Sequence, residues 1–180
     1  MSTRQRDWLH NFNCFFVTTT FKDWLKLFIN DTYYRVVGDS IKFCLRKYDA
    51  LLIAYVLMPT HIHLVIFFND KMDISGFMRD LKKYTSFRIR ELLEKEDRVN
   101  LLKEIEYHKH SQKHKIWMDR FDCVLIKSAR VLFTKIKYIH SNPYRKELVA
   151  REEDWIYSSS GYYKTEIEGF LPVTHAGKII

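Results

Sequence analysis

The chain has few of the residues that make flexible or cross-linked structures. Five glycines and three prolines occur in 180 residues, which leaves little room for long linkers. A chain of this length is typical of one compact domain, so we expect a single domain over residues 1–180. The three cysteines are odd in number and match no metal-ligand spacing, which indicates reduced, structural thiols and a cytoplasmic protein.

Long hydrophobic runs are also lacking. The N-terminus has no apolar segment of the secretory kind, and the apolar run over residues 51–58 is far too short to span a membrane. These absences predict a protein that is neither secreted nor inserted into a membrane.

The composition favours a packed, basic globule. Apolar residues make up 47% and aromatic residues 16% of the chain, and the net charge is +8. A basic field attracts polyanions, so nucleic acid is the natural partner. Ordinary solvated faces explain such charge equally well, and charge alone therefore leaves DNA binding open.

Hydrophobic periodicity predicts the order strand, helix, strand, strand, helix, strand, helix. The predicted strands are residues 14–21, Ala50–Met58, His61–Phe68 and about 122–126. The predicted helices are Asp31–Lys47, Ile74–Lys95 and a helix from Ala129, with Ser128 as N-cap, to Asn142-Pro143. This order predicts an α+β fold, a ferredoxin-like antiparallel sheet with helices packed on one face.

Two segments show no decisive period. Residues 96–115 are highly charged and basic, and we expect a helix extension followed by a mobile loop. The tail from about residue 154 to residue 180 is expected to be irregular, with its aromatic residues packed on the body of the domain.

Two histidines stand on one predicted strand. His61 and His63 are two residues apart, so both side chains leave the same face of the sheet, where two imidazoles can begin a divalent-metal site. A structural role explains this pair equally well. A second pair, His108 and His110, lies in the charged stretch, where a solvated loop is the better interpretation.

The last predicted helix carries a polar stripe beside its apolar face. Tyr138 lies at the edge of the buried face, with Lys135 three residues before it and Asn142 four residues after it on the same side. A nucleophile, a phosphate-binding cation and a metal ligand need such convergence. The alternative is a tyrosine that only packs and an ordinary helix stop at Asn-Pro.

Two sequence blocks carry a resemblance to a known family. The stretch YVLMPTHIHLVI over residues 55–66 resembles the His-hydrophobic-His (HUH) strand of the REP-associated tyrosine transposases and their single-tyrosine relatives. Residues 117–121, the segment YIHSNP at 138–143 and residues 154–159 resemble the same family in the same order. The similarity runs from about residue 15 to residue 163.

The resemblance implies a metal-dependent endonuclease and strand transferase acting on single-stranded DNA at hairpins or repeats. It implies that His61 and His63 bind a divalent metal, Mg²⁺ or Mn²⁺, that Asn142 completes the metal site, and that Tyr138 attacks DNA to form a 5′-phosphotyrosine. Thr60 departs from the family, whose members often have Asn at this position.

The expected partner is single-stranded or hairpin DNA, with a possible homodimer, since single-tyrosine relatives can place the tyrosine helix in a partner's site. Candidate DNA-binding residues are Lys82, Lys83, Arg88, Lys135 and Arg145. Two alternatives stay open. One is a nucleic-acid-binding regulator that has lost catalysis, and the other is a phosphoesterase that uses a metal-bound water on a small substrate.

Overall fold

In the computed structural model, which describes residues 13–109 and 112–179, strands and helices follow the predicted order. The strands are β1 (Cys14–Thr20), β2 (Ala50–Met58), β3 (His61–Phe68), β4 (Glu106–Lys109), β5 (Gln112–His114) and β6 (Asp122–Leu125). The helices are α1 (Asp31–Lys47), α2 (Ile74–Lys95), α3 (Val99–Glu104), α4 (Ala129–Arg145) and α5 (Ser160–Thr165). Short 3₁₀ turns occupy Lys22–Trp24, Glu152–Asp154 and Ala176–Lys178.

The central sheet has the strand order β2-β3-β1-β6, and its pairs are antiparallel. With α1 between β1 and β2 and α2 between β3 and β6, this is the ferredoxin-like arrangement, and the predicted α+β class is confirmed. Thr18 of β1 pairs with His63 of β3, and Thr20 pairs with His61. This register decides which side chains surround the two histidines.

The helices divide between the two faces of the sheet. The apolar sides of α1 and α2 join the larger core, which also contains Leu64 of β3. Leu132, Ile136 and Ile139 of α4 belong to a second core with Val65 of β3. The prediction that helices pack on one face of the sheet is therefore correct for α1 and α2, whereas α4 covers the opposite face. The physical reason is that β2 and β3 are apolar on both sides, so both faces must be covered.

Ser128 caps α4 as predicted, and Asn30 caps α1, but α4 is longer than predicted. The Asn30 side chain accepts a hydrogen bond from the Thr32 N–H at 2.9 Å, and Ser128 accepts one from the Val131 N–H at 3.3 Å. The predicted end at Asn142-Pro143 is wrong, because α4 continues to Arg145 with the proline inside its last turn. Proline there removes one N–H donor without preventing the final turn.

Among the described helices, none is long and apolar enough to cross a membrane.

In its described residues, the stretch after α2 has regular secondary structure, which corrects the prediction of a loop. It forms α3 and the antiparallel pair β4–β5. Ile105 is fully buried in the larger core, and its carbonyl accepts a hydrogen bond from the Lys115 N–H at 2.8 Å. That buried anchor explains why a charged segment folds here. His108 is exposed, and His110 lies outside the described residues.

The tail is more regular than predicted, because it extends the sheet at the edge strand β2. The Leu57 N–H donates to the Tyr157 carbonyl at 2.9 Å, and the Ser159 N–H donates to the Tyr55 carbonyl at 3.0 Å. Helix α5 follows directly. These bonds satisfy backbone groups that an exposed edge strand would leave unpaired.

Candidate active site

His61 and His63 project from β3 towards the face that α4 covers. Their side chains are buried, at 8% and 3% exposure, and their ring centroids are 4.8 Å apart with nearly perpendicular planes. Phe16 of β1 stacks on His63 at 5.6 Å. Two buried imidazoles therefore meet at one point, as the two-residue spacing predicts.

A threonine hydroxyl forms a hydrogen bond with the Nδ1 atom of each histidine. Thr60 Oγ1 lies 2.9 Å from His61 Nδ1, and Thr18 Oγ1 lies 2.7 Å from His63 Nδ1. The Asn142 amide N–H donates to His63 Nε2 at 3.0 Å, an arrangement that assigns the His63 proton to Nδ1, from which it is donated to Thr18. Among the described residues Nε2 of His61 has no hydrogen-bond partner, whereas Nε2 of His63 is held by Asn142. Contacts of this kind orient metal-binding histidines.

Burial keeps both histidines neutral. Removal from water lowers the pKa of His61 to about 4, helped by the positive charge of Lys146. It lowers the pKa of His63 to about 3, helped by His61 and Lys135. At neutral pH both imidazoles are therefore uncharged, with a proton on only one ring nitrogen, and this is the form that coordinates a metal ion.

Tyr138 stands beside the histidine pair on the same chain. Its ring centroid is 5.2 Å from that of His63 and 6.0 Å from that of Phe16, and its side chain is 39% exposed. The Arg145 guanidinium lies 6.0 Å from the ring centroid. Asn142 and Tyr138 occupy one side of α4, the side that faces β3. The convergence expected from the helical spacing is therefore present within one subunit.

The donor set fits a divalent ion without a protein carboxylate. Among the described residues, no group of three or more His, Cys, Asp or Glu side chains gathers at one point. The donors would be His61 Nε2, His63 Nε2 and the side-chain oxygen of Asn142, all of them neutral, and His63 Nε2 would exchange its hydrogen bond from the Asn142 N–H for the ion. Imidazole and amide groups are ordinary ligands of divalent metals. Neutral donors leave the charge of the ion for an anionic substrate.

The cations predicted to bind DNA fall into two groups on opposite faces of the sheet. On α4, Lys135 Nζ lies 4.5 Å from the Phe16 ring centroid, so Lys135 and Arg145 flank the histidines. Lys82, Lys83 and Arg88 belong to α2, which packs on the other face. The structure therefore brings only the α4 pair to the histidines.

Two of the α2 cations already have partners. Lys82 Nζ donates to the carbonyls of Met118, Asp119 and Arg120 at 2.9, 3.3 and 3.1 Å. Burial lowers its pKa to about 8. Arg88 pairs with Glu91 at 2.9 Å. The ammonium of Lys82 thus ties α2 to the segment before β6.

Three neighbours of the site were not predicted from the sequence. Thr18 and Phe16 reach His63 only because of the β1–β3 register, which hydrophobic periodicity does not specify. Trp24 lies beside His61, with ring centroids 5.7 Å apart. Its signal in the sequence is an aromatic residue directly after the first strand, which by itself indicates nothing about function.

The sequence of this chain matches a known protein family. Residues 10–142 match the sequence profile of the family described as "Transposase IS200 like". The match covers most of the chain, and the chain therefore belongs to the IS200-like transposase family, a class of DNA-processing proteins. A comparison with curated protein sequences gives no match.

A solved structure shows the same fold. A REP-associated tyrosine transposase bound to a REP hairpin superposes with a TM-score of 0.67 over 90% of this chain and 86% of its own, at 19% identity. A transposase candidate from Deinococcus radiodurans R1 gives a TM-score of 0.48 over 70% of this chain and 87% of its own, at 15% identity. The first likeness confirms the fold that the sequence resemblance implies.

Proposed function

We propose that this chain is a tyrosine-dependent transposase that cuts and rejoins single-stranded DNA at hairpins or repeats. The observation that supports it most is the position of Tyr138, whose ring lies 5.2 Å from that of His63, the histidine bound by Asn142. Nucleophile and proposed metal ligands come from one chain, so a monomer contains the complete set. A homodimer is compatible with this proposal but is not required by it.

The proposed reaction is a phosphoryl transfer to the phenol. A divalent ion, Mg²⁺ or Mn²⁺, held by His61, His63 and Asn142 would polarise the scissile phosphate and offset its negative charge. The Tyr138 phenol releases its proton to solvent and its Oη forms a bond to phosphorus. The bond from phosphorus to the 3′ oxygen breaks, and that oxygen takes up a proton from solvent as a free 3′-OH. The product is a 5′-phosphotyrosine.

Rejoining follows the same path in reverse. Because the phosphotyrosine is a phosphodiester like the bond that was cut, a second 3′-OH can displace Tyr138 without another energy source. Lys135 and Arg145 flank the site and are proposed to hold the backbone phosphates during both steps.

The cations on α2 have a separate proposed role. Lys83 and Arg88 lie across the sheet and are proposed to contact the backbone of a longer or folded DNA segment. Hairpin DNA is the proposed form of that segment, because the solved structure with the same fold carries a REP hairpin. Lys82 was predicted for the same task, but its three carbonyl partners favour a structural role instead.

Adduct formation tests the proposal. The full chain is incubated with Mn²⁺ and a pool of fluorescent hairpin oligonucleotides with randomised single-stranded flanks, and denaturing gels are searched for a covalent adduct. Tyr138→Phe, His61→Ala and excess chelator are each expected to abolish the adduct. Tyr144→Phe is the matched control, since this tyrosine is on the same helix and is 54% exposed.

The outcomes separate the candidate functions. An adduct that persists in Tyr138→Phe contradicts the assignment of the nucleophile. Salt-sensitive DNA binding with no adduct favours the regulator that has lost catalysis. Hydrolysis of small phosphodiesters that survives Tyr138→Phe favours the metal-water phosphoesterase.

A further inference from the structure

A tight turn follows β1 and presents an indole to solvent. Asp23 and Trp24 both adopt positive φ, at 52° and 58°, in the left-handed region that residues other than glycine rarely occupy. The Trp24 side chain is 61% exposed. Two consecutive residues with this backbone conformation, one of them a large exposed aromatic, mark the turn as a feature that the surrounding structure enforces.

Backbone hydrogen bonds to two neighbouring segments, the β2–β3 turn and the segment before β6, hold the turn in place. The Phe21 N–H donates to the Thr60 carbonyl at 2.9 Å, and the Lys22 N–H donates to the Ile116 carbonyl at 2.8 Å. Phe21 itself is fully buried. The backbone of Trp24 is therefore fixed relative to the β2–β3 turn, which also carries Thr60, the hydroxyl partner of His61.

The indole continues a row of rings that runs through the candidate site. Trp24 meets His61 edge-on at 5.7 Å, His61 meets His63 at 4.8 Å, and His63 meets Tyr138 at 5.2 Å. Trp24 and Tyr138 thus stand at opposite ends of the histidine pair. The two are also the exposed members of the row, whereas both histidines are buried.

We propose that Trp24 is a stacking platform for one unpaired nucleobase of the DNA strand whose phosphate is positioned at Tyr138. This inference rests on the proposed function. A single strand that passes from the phenol across the histidines reaches the indole next, and its bases are free to stack because they have no partners. Every base has an aromatic face, so this contact binds single strands with little sequence preference.

The charges around the turn agree with this occupant. Asp23, the only acidic neighbour within the turn itself, is paired with Lys22 at 3.5 Å, which offsets its repulsion of a phosphate backbone. Lys135 and Arg145 lie near Phe16 and Tyr138 at the other end of the row, so a strand along the row would meet cations as well as the indole. Backbone neutralisation and base stacking are the two contributions that binding of single strands requires.

The test separates stacking from charge. Anisotropy titrations compare a fluorescent 12-mer of thymidine with an abasic strand of the same length and charge, in chelator, so that no chemistry occurs. Trp24→Ala is expected to weaken binding of the thymidine strand by about 5- to 150-fold, the equivalent of about 1 to 3 kcal/mol at 1.4 kcal/mol per tenfold. Binding of the abasic strand is expected to stay unchanged.

Two further variants complete the design. Trp24→Phe keeps an aromatic face and is expected to recover most of the lost affinity. Phe87→Ala removes a side chain that is 52% exposed on α2, across the sheet, and is expected to bind both strands like the unmodified protein.

Equal weakening for both strands in Trp24→Ala, or no weakening for either, would overturn the inference. The adduct assay is independent of this result. If the unmodified protein forms no adduct but Trp24→Ala loses base-dependent binding, the proposed reaction is contradicted and the stacking role of Trp24 is supported. If the protein forms an adduct but Trp24→Ala shows no base-dependent loss, only the stacking role is contradicted.

Discussion

Replacing Thr18 by valine tests whether the hydroxyl behind His63 contributes to metal binding. Thr18 Oγ1 accepts from His63 Nδ1 at 2.7 Å, and this contact fixes the ring so that Nε2 points to the proposed metal position. Valine has a methyl group in place of the threonine hydroxyl, so the substitution removes the hydrogen bond and leaves little or no cavity. The imidazole then keeps an N–H without an acceptor in a buried position.

The expected magnitude follows from that loss. Removing a partner that orients a metal-binding histidine lowers affinity by about 10- to 100-fold, or about 1.4 to 2.8 kcal/mol. This range agrees with the cost of about 1 to 3 kcal/mol for leaving a buried polar group unsatisfied. Calorimetric titration with Mn²⁺ measures the affinity directly, without DNA and without chemistry.

The neighbouring residue supplies the control. Thr19 is 2% exposed, faces away from the histidines, and its hydroxyl has no hydrogen-bond partner within the described part of the chain. Thr19→Val is therefore expected to leave Mn²⁺ affinity unchanged and to leave or raise the free energy of unfolding in urea. If folded Thr18→Val binds Mn²⁺ as tightly as Thr19→Val does, the hydroxyl has no part in metal binding.

Two predictions concern the stability of the fold. Hydrogen bonds from Lys47 and, to a lesser extent, from Tyr48 lower the pKa of Asp80 to about 2, below its ordinary value of 3.8. The ionised carboxylate therefore stabilises the fold above about pH 4, and this contribution is lost as the pH falls towards 2. Urea unfolding of Asp80→Asn at several pH values is expected to show lower stability at pH 7 and a flatter acid limb; an unchanged acid limb contradicts the linkage. Gly38→Ala would place a Cβ 2.8 Å from the Phe170 ring and is expected to lower the free energy of unfolding by about 1 to 3 kcal/mol. Gly161→Ala, whose Cβ would meet nothing closer than 3.8 Å, is expected to be neutral or stabilising in the same measurement, and equal losses in both variants would refute the clash.

Periodicity and capping residues were sufficient to predict the elements that form the sheet and its long helices. Alternation in β3 placed His61 and His63 on one face, and the helical spacing of α4 placed Tyr138 and Asn142 on one side. Both inferences depend on local geometry, which a strand or helix imposes on its own residues. Whether the histidines of β3 lie close to Tyr138 and Asn142 depends on how α4 packs on the sheet. Periodicity could not predict that contact, whereas the family resemblance implied it.

The elements that were missed depend on contacts between distant residues. The hairpin β4–β5 is charged along its length, and it is held by the buried Ile105 rather than by any pattern of its own. The tail becomes regular because β2 needs a partner at its edge. The contact of Thr18 with His63 requires the register between two strands more than 40 residues apart in sequence, as the separation of 45 residues shows.

The division of the sheet into two faces has an evolutionary consequence. The larger core lies with α1 and α2, whereas the proposed nucleophile stands half exposed on α4, across the sheet. Loss of that one hydroxyl would remove the proposed cutting reaction while leaving the fold and the cations proposed to bind DNA in place. On this proposal, a single substitution could convert the chain into a folded protein that binds DNA without cutting it.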